Sequence, residues 1–429
     1  MDFGYGKLFP MKNRTIKTSL SKRLAGPLGH LVLVMGARQT GKTTLLRHLC
    51  ADYAYVSFDD PVVRPQLSGM SAADWLASYR SVILDEVQKA PSMFETVKAM
   101  VDGQPDCRVV LSGSSQIMLM ERVKESLAGR VSIFEMYPLT LPEMRTEGWD
   151  DPLRRSRLCR FLEDNNRDSR VFSGIPQMDD EYAKQKLIWE RYLKVGAMPL
   201  VWKEPFTDNE ADCHVWLHDY VRTYLQRDLR DLVMLRELEP FVLAQKAVAA
   251  RTAGVLNASN LARDAQISPS SARRFLNYLE ISYQIIQLRP WFGNPSKRLV
   301  KSLKIHMLDP GVMRAILGKR EKLSGAEFES AVVAEVIKQV KSLDIPAAPC
   351  FLRTHDGLEL DLLLEMEDGF IPIEIKQSDR VTRHDARHLF GIQTILNKPV
   401  IMGLLLSNDP RVQSFSDKVM AIPVAWALG

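Results

Sequence analysis

Residues 31–46, LVLVMGARQTGKTTLL, constrain the fold more tightly than any other stretch of this chain. An apolar run reaches Gly36, four residues intervene, and Gly41, Lys42 and Thr43 open a helical pattern. A buried strand that ends in a glycine loop and starts a helix aims the first backbone N–H groups of that helix at an anion. Gly36 and Gly41 let the backbone close around phosphate oxygens, with Ala37, Arg38, Gln39 and Thr40 as the rest of the loop. Lys42 would reach the β and γ oxygens of ATP, the Thr43 hydroxyl would bind Mg²⁺, and Thr44 completes the nucleotide-contacting set. At ordinary residue usage this string arises by chance in about one or two per cent of chains of this length. A mere glycine turn with an exposed lysine is therefore the weaker reading.

Two later stretches supply what a phosphate loop needs for hydrolysis. SVILDEVQ ends four apolar residues in Asp85 and Glu86, two carboxylates at the tip of a buried strand. Asp85 fits as the partner of the Mg²⁺ site and Glu86 as the residue that orients attacking water. CRVVLSGSS is a further strand, after which Ser112, Ser114 or Ser115 would sense the γ-phosphate or cap the next helix. Ser114 is the candidate taken forward. Arg130, in SLAGRVSIFEMYPL, stands before another strand and would act either as a finger completing a neighbour's site in a homo-oligomer or in a local salt bridge.

The organisation follows from pattern. Up to about Trp202, short β-branched runs alternate with helical stretches, which predicts a parallel sheet covered by helices. We assign 1–205 to an ATPase domain, with an Arg-rich insertion near 145–180, read as helix and loop beside the ATPase core, and a lid near 190–205. Helical periodicity dominates 206–318, and strands return in 319–429. At 429 residues, two or three domains are expected. A charged fraction of 25% and a net charge of +5 make any nucleic-acid surface local. Five dispersed cysteines without a C-x-x-C pair argue for free thiols rather than a disulfide or zinc scaffold. The basic start has no apolar core of a signal peptide, and no apolar run nears the roughly 20 residues of a membrane span. A cytoplasmic protein without membrane partners is the expectation.

GARQTGKTTLL, ILDEVQKAP, VLSGSS, SLAGR and YPLTLPE resemble the motifs of a family of prokaryotic AAA+-superfamily ATPases. Its members join that ATPase to a long C-terminal region of largely unknown function. YLKVGAMPLV, WLHDYVRTYLQRDL, LNYLEISYQI and KIHMLDPGVM continue the resemblance along nearly the whole chain. It implies an α/β fold with a P-loop ATPase sheet, a lid near KVGAMP and a nuclease-like terminal domain. GAMP departs from the two glycines more usual there, and no arginine beside it offers a second sensor.

In the middle region, NASNLARDAQISPSSARRFLNYLEI fits two short helices and a tight turn, with Leu261, Ala262, Ala265 and Ile267 facing Phe275, Leu276 and Leu279. Ser268 is placed to cap the second helix and Pro269 to start it. Arg273, Arg274 and Asn277 would then project toward a DNA groove. A following hairpin would carry Lys297, Arg298 and Lys301 on a basic turn, giving a winged-helix pattern. The same module would equally serve as a docking surface.

FIPIEIKQS, residues 370–378, alternates Ile371, Ile373 and Ile375 with Glu374 and Lys376, as a half-buried strand does. Asp361 lies on the preceding strand, and Glu329 falls on the apolar stripe of a helix with Val332, Val333, Val336 and Val340. A carboxylate on a core-facing stripe requires a partner, either a metal site or a lysine. The set resembles PD-(D/E)xK restriction-endonuclease-like nucleases. That resemblance implies Mg²⁺ on Asp361 and Glu374, with Lys376 at the attacking water and Glu329 assisting. Two readings follow: an ATPase controlling a DNA-binding and nuclease-like module, or an ATP-driven switch for a protein partner with an inert nuclease fold as scaffold.

Overall fold

The computed structural model describes residues 11–104, 106–113, 116–225, 238–293, 303–354 and 357–429. The chain divides into two compact units: Arg14–Pro138, and Leu139–Gly429 together with the residues up to Asn13.

In the first unit, β1 (Leu31–Gly36), β2 (Ala54–Ser57), β3 (Ser81–Asp85), β4 (Arg108–Ser112) and β5 (Ser132–Met136) form a parallel sheet in the order β2-β3-β4-β1-β5. The apolar runs of the central strands β1, β3 and β4 are continuous rather than alternating because both faces are covered, whereas the edge strands β2 and β5 are partly exposed; β1 is buried along its whole length. Leu31, Leu33, Val82 and Leu84 pack against Trp75, Phe94 and Val97. β4 lies between β1 and β3, so the phosphate loop and Asp85 emerge at the same carboxyl edge of the sheet. Open α/β sheets form their binding crevices at that edge.

Among the described residues, the second unit is built on nine strands. These are β6 (Gly254–Leu256), β7 (Ile285–Pro290), β8 (Leu303–Met307), β9 (Ala348–Arg353), β10 (Glu359–Glu365), β11 (Phe370–Lys376), β12 (Gly403–Ser407), β13 (Gln413–Ser416) and β14 (Val419–Pro423). They run in the order β13-β14-β12-β11-β10-β9-β7-β8-β6. One face packs on the helix Gly325–Ser342 and much of the residue 139–323 helical region; the other is covered by Leu389, Ile392 and Val400.

Several boundaries differ from the expectation. The unit that carries the phosphate loop ends at Pro138, while the sequence-based assignment runs to 205. Buried residues of the C-terminal helix hold the chain directly after it, since Lys338 Nζ donates to Leu139 O at 2.7 Å and Glu335 Oε1 accepts from Leu141 N at 2.7 Å. The Arg-rich insertion also belongs to this second unit. Helix Arg157–Glu163 sends Leu158, Phe161 and Leu162 into its core, and the Arg157 guanidinium lies 3.1 Å from the Trp426 ring centre. The expected lid is part of the same core: in helix Asp180–Val195, Trp189 packs edge-on against Phe328. The regions 206–318 and 319–429 share one sheet, because β7 pairs in parallel with β9. Finally, β11 is buried on both faces rather than half-buried, being flanked by β10 and β12 and covered on each side.

Candidate functional site

The phosphate loop runs from the end of β1 to the helix Lys42–Leu49. Gly41 has φ 93°, a left-handed conformation that a side chain disfavours. Gly36 passes so close to the Met136 carbonyl that a Cβ there would lie 2.2 Å from its oxygen. Lys42 is buried, and its ammonium is held inside the loop by Gly36 O and Ala37 O, both at 2.8 Å. Thr40 Oγ1 donates to Ala37 O, while Arg38, Gln39 and Thr44 have partly or fully exposed side chains. Thr43 Oγ1 donates to Asp85 Oδ2 at 2.7 Å, so the hydroxyl and the carboxylate proposed for the metal stand together. These are hard oxygen donors beside a phosphate cradle, and they fit Mg²⁺.

Three residues of this site escaped the sequence reading. Arg14 is buried and bridges Thr40 O at 2.7 Å to Tyr137 O at 2.6 Å, tying the loop to the end of β5. Tyr55 donates to Asp85 Oδ2 at 2.8 Å; burial and that carboxylate push its phenol well above the ordinary range. Gln88 donates to Glu86 Oε2 at 2.5 Å and fixes the carboxylate assigned to water activation. Glu86 itself has a left-handed backbone, φ 53°, which turns it out of the strand direction. Lone Arg and Tyr side chains carry no motif, so only the fold brings them here; Gln88 lies within ILDEVQKAP, without a role legible in the sequence. Ser112 ends β4, buried; Ser114 lies outside the described residues. Arg130 forks onto Asp102, with Nε at 2.7 Å and Nη2 at 3.2 Å, the local ion pair rather than a projecting side chain.

The middle-region helices form as the sequence implies. Ser268 Oγ accepts from Ser271 N at 3.0 Å to cap the helix Pro269–Ile281, and the preceding helix Ala258–Asp264 packs against it through Leu261 and Phe275. Arg273, Arg274 and Asn277 are exposed on the second helix. Lys297, Arg298 and Lys301 lie outside the described residues.

The C-terminal carboxylates do gather, but around a lysine. Lys304 of β8 is 1% exposed, with its ammonium 2.7 Å from Glu329 Oε1, 3.1 Å from Glu359 Oε1 and 3.4 Å from Asp361 Oδ1. Asp361 Oδ2 accepts the Ile375 N–H at 2.8 Å. Glu374 Oε1 pairs with Lys376 at 2.7 Å and has His388 Nδ1 at 3.5 Å, whereas its buried Oε2 has no partner. Burial and the Asp361 charge push Glu329 up to about 8 and Glu374 up to about 7. Burial alone would lower Lys304, but Glu329 and Asp361 hold it above its ordinary value. Among the described residues no group of three or more His, Cys, Asp or Glu side chains is arranged to hold a metal. The donors therefore do not fit the Mg²⁺ that the nuclease resemblance implies: Lys304 supplies the cation, and both Asp361 oxygens are engaged.

A family model described as an AAA domain matches residues 29–145. Two models described as domains of unknown function, DUF8612 and DUF4143, match residues 186–323 and 324–427. Uncharacterized protein Rv2008c of Mycobacterium tuberculosis and uncharacterized protein Mb2031c of Mycobacterium bovis are each 28% identical to this chain over 360 residues, which is 81% of this chain and 70% of the relative. Among solved structures, the Walker-type ATPase paby2304 of Pyrococcus abyssi is similar with a TM-score of 0.40 and 15% identity, covering 72% of this chain and 99% of its own. A signal-transduction ATPase with a tetratricopeptide repeat sensor from Pyrococcus horikoshii gives a TM-score of 0.25 and 12% identity over 77% of this chain and 46% of its own. The segment matched by the AAA-domain model covers most of the unit that carries the phosphate loop. Among the described residues no helix is long and apolar enough to cross a membrane.

Proposed function

We propose that this chain is a Mg²⁺-dependent ATPase whose nucleotide state controls how its second unit engages DNA. The observation that carries the ATPase half is the 2.7 Å pair of Thr43 Oγ1 and Asp85 Oδ2 beside a buried phosphate-loop lysine. Mg²⁺ on those oxygens would neutralise charge on the β and γ phosphates. Lys42 binds the same oxygens as a point charge once it leaves its loop carbonyls, and the loop N–H groups orient the triphosphate. Glu86, released from Gln88, accepts the proton of the attacking water. Phosphate release from ATP tests this. Lys42→Ala is expected to abolish hydrolysis, and Glu86→Gln to slow it by about 10²- to 10⁴-fold while leaving ATP binding intact. Full activity in Lys42→Ala would overturn the assignment.

The DNA half is supported by the exposed Arg273, Arg274 and Asn277 on a capped helix, the residue types that contact phosphate and base edges. Arg273→Glu with Arg274→Glu should weaken binding to duplex DNA and flatten its salt dependence, read by fluorescence anisotropy. A second reading is favoured by Lys304: the C-terminal domain is a restriction-endonuclease-type fold that serves as scaffold, and the switch acts on a protein partner. Incubation of linear, circular and branched DNA with Mg²⁺ or Mn²⁺, with and without ATP, separates the cases. Cleavage that Asp361→Ala removes would overturn the scaffold reading; DNA affinity unchanged by the double arginine variant would overturn the DNA reading.

A further inference from the structure

A cavity of about 640 Å³ opens in the second unit at the carboxyl ends of three strands that run parallel, β11, β12 and β14. Gln377 follows β11, Ser407 closes β12, and Pro423 closes β14. Ligands of α/β sheets bind preferentially at such edges, and the volume falls within the about 300–1,000 Å³ of small-molecule sites. None of Glu329, Asp361, Glu374 or Lys376 lines it, so it is separate from the carboxylate cluster. The opposite wall is the helix Asp180–Val195, which contributes Trp189 and Leu193 and, with Leu323, an apolar surface.

Its charge is unbalanced toward the positive. Five Lys and Arg side chains and three carboxylates line the cavity. Two of those acids are already matched: Glu210 with Lys194 at 2.8 Å, and Glu190 with Lys186 at 3.9 Å. Arg314, Arg320 and Lys322 remain, with Asp379 as the third lining acid; Glu327, outside the lining and paired with Lys319 at 3.1 Å, and Glu210 also act on Arg314. Arg320 and Lys322 are exposed and make no ion pair among the described residues. Arg314 is 6% exposed, spends Nη2 on Glu321 O at 2.5 Å, and keeps a buried Nε without a hydrogen-bond partner. His214 beside them is held below its ordinary pKa by burial and by the charges of Arg320 and Arg314. Cations crowded closely enough to depress a histidine form a field that an anion would relieve. Arginine forks match phosphate oxygens in pairs, and a compact ammonium adds a point charge.

We propose that this cavity binds a phosphorylated small molecule with an apolar body, of nucleoside-monophosphate size. Arg314, Arg320 and Lys322 hold the phosphate, and Trp189, Leu193 and Leu323 receive the body. The test uses the full chain carrying Lys42→Ala, which disables the phosphate loop and makes the result independent of the ATPase reading. AMP, GMP, CMP and UMP are titrated separately by calorimetry, with inorganic phosphate as control. The expected result is one bound nucleotide per chain, weakened at least about tenfold by Arg320→Ala with Lys322→Ala, a loss of about 1.4 kcal/mol or more for the pair. Both substituted side chains are exposed, so the fold is kept, which circular dichroism verifies. No binding of any monophosphate at millimolar concentration overturns the proposal, as does binding that the double variant leaves unchanged. Inorganic phosphate binding as tightly as the nucleotides overturns the apolar half of the site.

Discussion

An ammonium group that is 1% exposed and lies within 3.4 Å of Glu329, Glu359 and Asp361 is stabilised by those acids and stabilises them in turn. Desolvating any one of the charges costs several kcal/mol, and only the mutual attraction offsets it. Lys304→Met leaves the carboxylates without their cation, so we expect a loss of about 3–5 kcal/mol, measured by chemical denaturation at pH 7.5. The same cluster makes stability depend on pH. Glu329 titrates at about 8 in the fold against an ordinary 4.5, so the native chain holds a proton that the unfolded chain releases. The contribution of Glu329 to stability is then fully present below about pH 4.5 and is lost as pH rises through about 8. Glu374, at about 7, adds to the decline over the lower part of that window. Glu329→Gln is fixed in the uncharged state, so its melting temperature should fall less between pH 5 and pH 8 than that of the parent chain. Equal slopes would show that Glu329 is ionised throughout. Had Lys304 been a surface residue, the E…D…E-x-K set would stand ready for a metal. Its role is invisible in the sequence because it lies 57 positions from Asp361 on a strand of another region.

The helix Gly325–Ser342 shows the same limit one level up. Its valines announce an apolar stripe, yet fourteen of its eighteen residues are buried, so it has no solvated face to compare with the core-facing one. Glu335 and Lys338 form an i,i+3 pair at 2.7 Å that is fully buried. They cap backbone groups of residues 139–141, and Gln339 bonds both Glu335 and Leu428 O. Lys338→Met should therefore destabilise by about 3–5 kcal/mol, while Lys338→Met with Glu335→Leu should recover only the part due to the unpaired charge, because the Leu139 carbonyl and the Leu141 N–H lose their partners. Denaturant midpoints of the two variants measure the difference; an equal loss in both would mean the pair carries no buried charge. Elements whose partners are neighbours in sequence were legible: the phosphate loop, the Asp85–Glu86 strand end, and the Ser268-capped helix. FIPIEIKQS was misread as half-buried because its second covering layer, Leu389 to Val400, comes later in the chain and carries no pattern tied to it. GAMP and KIHMLDPG, which look like separate motifs, are joined: Asp309 accepts from Ala197 N at 2.6 Å and from Val312 N at 2.9 Å. A buried carboxylate therefore ties the turn at Ala197 to the helix start at Val312.

At the scale of the molecule, the chain enters the unit that carries the phosphate loop at Arg14 and leaves it at Pro138. Arg14 bonds the phosphate-loop residue Thr40 with one guanidinium nitrogen and Tyr137 with another. A single buried side chain therefore ties the loop that would move with nucleotide to both points where the backbone passes between units. If nucleotide state governs DNA binding, this linkage is a direct covalent and hydrogen-bonded route for it. Coupling between two binding events is a free energy and is reciprocal. A non-hydrolysable ATP analogue should change DNA affinity by a factor within about 5- to 150-fold, and DNA should change affinity for the analogue by that same factor. Both are measured by anisotropy on the intact chain, with labelled DNA in one series and labelled analogue in the other. Arg14→Ala should bring both factors toward one, because it frees the loop from the exits, even where the analogue still binds. Two unequal factors would expose an error in one of the titrations, since linkage forbids them. A factor of one in both series for the parent chain would mean that nucleotide and DNA ignore each other, and the switch would then have to act on a different partner.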